Sequence, residues 1–281
     1  SESGRPILCG DPHLQINQLP ALFLEIRVRV ENDYWLGASI PGIPGIAVGR
    51  NSSLSWSGTF GVADNSDFFV ETVQGDHVLR TDGLETVQER AVLVERRGQS
   101  PMSISFRETS RGVLETTNRE NAKVLANRWS SSHRPDEGMC AFIRLPFCTS
   151  VPDATRVLEK AHTLSLHFVL ADKAGEIGYC QLGSIPKRTP GWSGLYPVEA
   201  NGPFQWEGLY LGEGLPRSGG SDGMVISANE ARLAPDGGIL STFAQPSYRY
   251  DRIRELLLDS NKHTALTMGE IQLDVISGQA R

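Results

Sequence analysis

Residues 41–71 read PGIPGIAVGRNSSLSWSGTFGVADNSDFFVE, and this stretch decides the fold. Pro41, Gly42, Pro44 and Gly45 force tight turns at its start. Trp56 follows among small residues, and acids at Asp64 and Asp67 lead into a second apolar run. The pattern is strand, turn, strand.

The same rhythm of short apolar segments and turns extends through the chain. LEIRVRV (24–30) alternates apolar and charged residues with period two, the signature of a half-buried strand. RPILCG (5–10), AVLVERR (91–97), MSISFRET (102–109), CAFIRLPF (140–147), LSLHFVLAD (164–172) and MVISAN (224–229) also read as strands. Helices are fewer and fall late. SVPDATRVLEKAHT (150–163) opens with Ser150 and Asp153 as candidate caps. SYRYDRIRELLLDS (247–260) places Tyr250, Ile253, Leu256 and Leu257 on one stripe. A last helix is expected to start near Thr267. Strands dominate and helices cluster toward the end, so the class is α+β.

Composition excludes several functions. The 281 residues carry a net charge of −6 and no basic run, which argues against nucleic acid as a partner. No apolar stretch reaches the roughly 18 to 20 residues of a membrane span. Ser1 to Pro6 contain no apolar signal-peptide core. Cys9, Cys140, Cys148 and Cys180 are too scattered for a disulfide framework or a zinc site. They read as buried free thiols, with a Cys140–Cys148 pair as the alternative in an oxidising compartment.

Several segments, taken in order, carry a resemblance. Asp11-Pro12-His13-Leu14 is followed by the Pro41–Asn51 glycine-proline run and by Ser55–Glu71. Then come Ala171, Asp172, Gly175, Ile177, Gly178 and Tyr179, with Gly183, Ile185, Pro186 and Arg188 behind them. Leu215, Pro216, Gly223, Ala228 and Asn229 follow, and Tyr248, Arg249, Arg252 and Ile253 close the series. In this order the segments resemble the penicillin acylase family of N-terminal-nucleophile hydrolases. The resemblance implies a four-layer αββα sandwich, two antiparallel sheets with helices outside, here incomplete. It also implies one catalytic-type domain over residues 1–281, part of the family's long chain.

Such enzymes hydrolyse an amide with the hydroxyl of a chain's first residue, whose own α-amino group takes the proton. The oxyanion formed needs donors about 3 Å away. By resemblance, the Asn229 side chain and the Phe60 backbone N–H supply them. Arg252 orients Asn229 and the amino-terminal group, His13 helps position the reacting amine and hydroxyl, and Leu14 borders the acyl pocket. Asp64, the Ser66 carbonyl and Asp67 match a structural calcium site, as a minority of the six to eight oxygens calcium takes. No cofactor is implied for catalysis.

The opening SESGRP matches the family's turn after the catalytic strand, so the nucleophilic serine is expected upstream of Ser1. The chain is then a fragment that on its own lacks the nucleophile. The resemblance further implies a small-molecule acylated amine as substrate, a separate small chain as partner and a periplasmic location. The rivals are a non-catalytic β-rich binding or scaffold domain and an inactive acylase relative.

Overall fold

The computed structural model describes residues 1–12, 17, 22–31, 33–116, 122–132, 137–243, 245–260 and 262–280. His13 and Leu14 lie outside them. The chain divides into two compact units: residues 1–63, 134–184 and 210–281 form the first, and residues 64–133 and 185–209 the second.

The strands in chain order begin with β1 (Leu24–Val30), β2 (Asp33–Ser39), β3 (Val48–Arg50) and β4 (Leu54–Phe60). Then come β5 (Ser66–Gln74), β6 (His77–Arg80), β7 (Gly83–Thr86), β8 (Gln88–Val94), β9 (Met102–Thr109), β10 (Gly112–Leu114) and β11 (Ala122–Trp129). After them run β12 (Leu166–Asp172), β13 (Ile177–Gln181), β14 (Ile185–Arg188), β15 (Val198–Glu199), β16 (Trp206–Tyr210) and β17 (Arg217–Ser218). The helices are α1 (Gly138–Arg144), α2 (Val151–Leu158), α3 (Tyr248–Leu258) and α4 (Ala265–Gln272).

In the first unit, seven strands make an antiparallel sheet in the order β1-β2-β3-β4-β12-β13-β17. Even-numbered residues of β4, β12 and β13 (Leu54, Trp56, Phe168, Leu170, Cys180) face a core shared with Phe142 and Leu145 near α1 and with Val151, Ala154 and Leu158 of α2. The odd-numbered face carries Ser57, Thr59, His167, Tyr179 and Gln181, which are polar or polar-tipped. That division follows from the period of two along a strand. It commits one face to helix packing and leaves the other for chemistry.

The motif residues explain how the helices seat. Gly45 has a φ of +101°, and a Cβ there would strike the Phe142 carbonyl, so glycine alone lets this turn reach α1. Asn51 donates to Pro146 O (2.9 Å) and Cys148 O (2.7 Å) and accepts from the N–H groups of Ser53 (2.8 Å) and Leu54 (2.7 Å). Its buried carboxamide is thereby fully satisfied, and it ties the start of β4 to the segment between α1 and α2. Asp172 accepts from Ala174 N and Glu176 N in the β12–β13 turn and from Val151 N at the start of α2. The Ser150 cap expected from the sequence is present, its Oγ accepting from Asp153 N at 3.3 Å.

The second unit is a larger antiparallel sheet, β7-β6-β5-β11-β10-β9-β8, with β15 added parallel to β5, and β14 pairs with β16 separately. Phe69, Val73, Val78, Ala126, Trp192 and Ala200 form its core. A buried ion cluster sits in this sheet: Glu71, 0 % exposed, meets Arg80 through both oxygens (2.5 and 2.8 Å) and accepts from Thr109 (2.9 Å).

Four segments differ from the sequence reading. CAFIRLPF is α1 followed by a 3-10 turn at Leu145–Phe147, because an apolar run this short carries no decisive period and Ala141, Phe142 and Leu145 bury one helical face. RPILCG and MVISAN join no strand ladder. The final helix begins at Ala265, where Thr264 and Thr267 cap it reciprocally. All four cysteines are free. Cys148 and Cys180 are buried, and burial pushes their thiols up to about 11 and about 12. Cys140 is exposed on α1, against the buried thiol expected there.

Candidate active site

β4 ends at Phe60, and the ladder determines where that peptide points. Gly61 N–H donates to Ser165 O at 2.9 Å, while the register sets Phe60 opposite Leu166 and Thr59 opposite His167. Bonded and non-bonded pairs alternate along an antiparallel ladder. Gly61 is in a bonded pair, so Phe60 is in a non-bonded one, and its N–H and C=O point away from β12. On that side β3 pairs only with Ser55 and Trp56. The Phe60 peptide therefore faces an open edge among the described residues. Its ring is 66 % exposed, so Phe60 is not the core aromatic its side chain suggests.

Asn229 comes to this edge from the segment between β17 and α3. Its Nδ2 donates to Phe60 O at 2.6 Å. Its Oδ1 accepts from the Arg249 guanidinium at 2.9 Å, and the same Arg249 nitrogen donates to Ala228 O at 2.8 Å. An arginine can only donate, so the carboxamide oxygen must face Arg249 and the nitrogen must face Phe60. Phe60 O takes one Nδ2 hydrogen. The second is left for another acceptor.

The Asn229 backbone has a φ of 62°, in the left-handed region. Asparagine visits this region more readily than most residues, yet such positions cost about 1 to 3 kcal/mol and persist only where neighbours over-determine them. Here the neighbours are the Gln245 N–H on Asn229 O (3.1 Å), Arg249 and Phe60.

Arg252, one turn further along α3, is directed elsewhere. It meets Asp274 through Nε (3.2 Å) and a terminal nitrogen (2.8 Å), and Glu255 at 2.8 Å. Hydrogen bonds to these carboxylates raise its pKa. The arginine against Asn229 is thus Arg249. Both belong to the Tyr-Arg-x-x-Arg-Ile motif, and spacing alone does not say which one faces the loop.

Phe60, Asn229, Arg249 and Arg252 all line one cavity of about 920 Å³. Its wall is largely apolar, with Ile40, Phe142, Leu164, Met224, Leu256 and Met268 among the lining residues. A large apolar cavity with a few convergent polar groups is the usual form of a small-molecule site.

A buried histidine also lines this cavity. His167 is 1 % exposed, and its Nδ1 is 3.2 Å from Ser227 Oγ, which is 2.9 Å from Thr59 Oγ1. Its ring meets Tyr179 edge-on, and Arg232, paired with Glu230, lies over the Tyr179 ring at 3.8 Å. Burial pushes the His167 pKa down to about 4, with Glu230 opposing it and Arg232 adding to it to smaller extents.

The residues matched to calcium lie in the second unit and do not fit the ion as arranged. Asp67, 1 % exposed, has its carboxylate taken by Arg188 (2.9 and 3.2 Å) and by the Trp206 indole N–H (2.6 Å). Arg188 also donates to Asp64 O at 3.1 Å. A guanidinium occupies the place where a cation would need these oxygens, and the described residues hold no metal-type cluster of three or more His, Cys, Asp or Glu.

The fold places the chain in a class. It superposes on the thermostable penicillin G acylase from Alcaligenes faecalis with a TM-score of 0.76 at 19 % identity, covering 90 % of this chain and 46 % of that one. The architecture is thus the α+β fold of the N-terminal-nucleophile hydrolases. The penicillin amidase family profile matches residues 1–281, and the chain belongs to that family. It is 26 % identical to penicillin acylase 2 proenzyme of Pseudomonas sp. (strain SE83), covering 98 % of this chain and 36 % of that protein. It is also 26 % identical to the acyl-homoserine lactone acylase QuiP of Pseudomonas aeruginosa, covering 99 % of this chain and 34 % of QuiP. The chain spans about a third of the length of these curated relatives.

Two expectations follow. The unfolded chain binds a proton on His167 near pH 6.5, the folded one only near pH 4. Stability from this group is present above pH 6.5 and is lost as pH falls toward 4, by roughly 3 kcal/mol in all. His167→Gln should remove that part of the loss when urea unfolding is compared at about pH 5 and about pH 7; an unaltered loss would contradict a neutral, buried imidazole. Secondly, EDTA should leave the thermal midpoint unchanged, whereas Arg188→Met should cost about 3 to 5 kcal/mol by stranding the Asp67 carboxylate. A midpoint lowered by chelation would mean that a cation holds Asp67.

Proposed function

We propose that this chain carries the oxyanion-binding part of an amidase site. The protein containing it hydrolyses the linear amide bond of an acylated amine, of the penicillin, cephalosporin or acyl-homoserine lactone type. One observation carries the reading: Arg249 and Phe60 O together fix the Asn229 carboxamide with one Nδ2 hydrogen spare, at the end of a strand whose Phe60 N–H points away from β12. Two such donors are what a tetrahedral intermediate of acyl transfer needs.

The nucleophile in this reading is a serine at the amino terminus of the processed long chain, upstream of Ser1. Its α-amino group takes the hydroxyl proton, the hydroxyl oxygen attacks the amide carbon, and the new oxyanion is received by Phe60 N–H and Asn229 Nδ2. The proton then passes to the departing amine, and water releases the acid from the acyl-enzyme. Arg249 acts through Asn229, while Arg252 stays in the cavity wall with Asp274. His13 and Leu14 are assigned to the nucleophile's surroundings and the acyl pocket from resemblance. No cofactor takes part.

The relatives' names support the substrate class, and the largely apolar cavity suits the acyl group. A separate small chain completing the acyl pocket and a periplasmic location belong to the same reading. Among the described residues, no helix is long and apolar enough to cross a membrane. A β-rich binding module would have no use for a strained asparagine clamped against an open strand edge.

The test uses the full-length, processed protein with penicillin G and an acyl-homoserine lactone, following release of the primary amine. The unaltered protein should cleave at least one of them. Asn229→Ala should lower kcat by about 10² to 10³-fold with a much smaller change in KM. Cleavage at the parental rate by Asn229→Ala would overturn the oxyanion role, and no cleavage by the parent would favour an inactive relative.

A further inference from the structure

The two proposed donors stand on different parts of the chain, and something must hold them in register. Phe60 ends a strand. Asn229 lies in residues 219–247, where the described residues include only isolated bridges and no helix or multi-residue strand. Thr59 immediately precedes Phe60, and Ser227 lies just before Ala228 and Asn229. Their hydroxyls are 2.9 Å apart. This bond joins the two donor-bearing segments at a point independent of the Asn229–Phe60 contact itself.

His167 anchors that bond to the sheet. It is directly opposite Thr59 on β12, so both side chains leave the sheet on the same face. Its Nδ1 reaches the Ser227 oxygen at 3.2 Å. Its Nε2 is buried without a hydrogen-bond partner among the described residues, so the ring's polar contact is with Ser227. A hydroxyl has one hydrogen to give and can also accept, so Ser227 can serve Thr59 and a neutral His167 together, with either ring nitrogen protonated.

We propose that Thr59, Ser227 and His167 form a positioning device, a hydrogen-bonded brace that holds the Asn229 loop against the end of β4 so that the Phe60 N–H and the Asn229 carboxamide share one acceptor. The inference rests on the amidase reading above and goes beyond it by naming residues that act through the two donors, although they also line the cavity. Their effect is geometric. Displacing a catalytic group by about 1 Å costs on the order of 10²-fold in rate, so losing the brace lowers kcat while leaving acyl binding largely intact.

The groups around His167 include Thr59 from β4, Tyr179 and Gln181 from β13, and Ser227, Glu230 and Arg232 from the loop. The imidazole is neutral in the working pH range because burial holds its pKa near 4, which keeps a lone pair or a single N–H available to Ser227.

The experiment compares Thr59→Val, Ser227→Ala and Thr59→Ser in the full-length, processed protein. Thr59→Val and Ser227→Ala are expected to lower kcat by roughly 10 to 100-fold with KM within about 3-fold, and Thr59→Ser, which keeps the hydroxyl, to restore most of the rate. A fold-wide defect would not separate kcat from KM, nor be rescued by serine. The second arm needs no turnover: the Asn229 side-chain NH₂ signals, assigned by NMR, should exchange faster with solvent in Thr59→Val and Ser227→Ala than in the parent. Parental kcat and exchange in both variants, or equal losses in Thr59→Ser and Thr59→Val, would overturn the brace. If the parent cleaves neither substrate, the amidase reading fails, and the exchange arm alone decides whether the brace holds the two groups.

Discussion

A guanidinium that can only donate fixes which way one asparagine faces, and the rest of the site depends on that constraint. Arg249 takes the Asn229 oxygen, so the nitrogen must turn to Phe60. Each partner is placed by a different element: Arg249 by the first turn of α3, and Phe60 by the register of β4 against β12. The asparagine itself sits in a left-handed conformation that no regular element supplies. The strain is sustained by hydrogen bonds at both its backbone and its side chain. A loop residue thereby acquires the fixity of a residue in a sheet.

The arrangement also needs an unpaired edge. Past Trp56, β4 has no strand on the side away from β12 among the described residues. Exposed strand edges are ordinarily covered or blunted because they recruit other strands. Here the exposed peptide groups belong to the candidate site, and the apolar cavity lies against them. The face that carries Ser57, Thr59 and His167 contributes to the cavity wall, while the opposite face is filled by α1 and α2. Burial on one side and chemistry on the other both follow from the alternation of residues along the same strands.

Much of this was legible in the sequence. LEIRVRV became β1 with its boundaries intact, and Ser150 caps α2 as its position suggested. The glycine-proline run and the Asn51 and Asp172 positions marked real constraints, though their work is structural: turns, caps and close approaches that seat the helices. CAFIRLPF was not legible, because one short apolar run satisfies a strand and a buried helix equally well. MVISAN carries strand-forming residues, yet residues 223–227 join no ladder, since the segment is held by side-chain bonds from Ser227, Glu230 and Arg232. Arg249 and Arg252 are separated by a rotation about the helix axis that no motif states. Asp64 and Asp67 show the same limit, since the cation on Asp67 is a guanidinium supplied by Arg188, far away in the chain.

Fold likeness at 19 % identity does not transfer chemistry, and a site must be judged by its own geometry. The central claim is that Phe60 and Asn229 converge on one oxygen. A crystal structure of the full, processed protein with a boronate or phosphonate that imitates the tetrahedral intermediate measures this directly. One oxygen of the inhibitor should lie about 3 Å from both Phe60 N and Asn229 Nδ2. An inhibitor bound covalently with that oxygen held by other groups, and Asn229 turned away from it, would contradict the account.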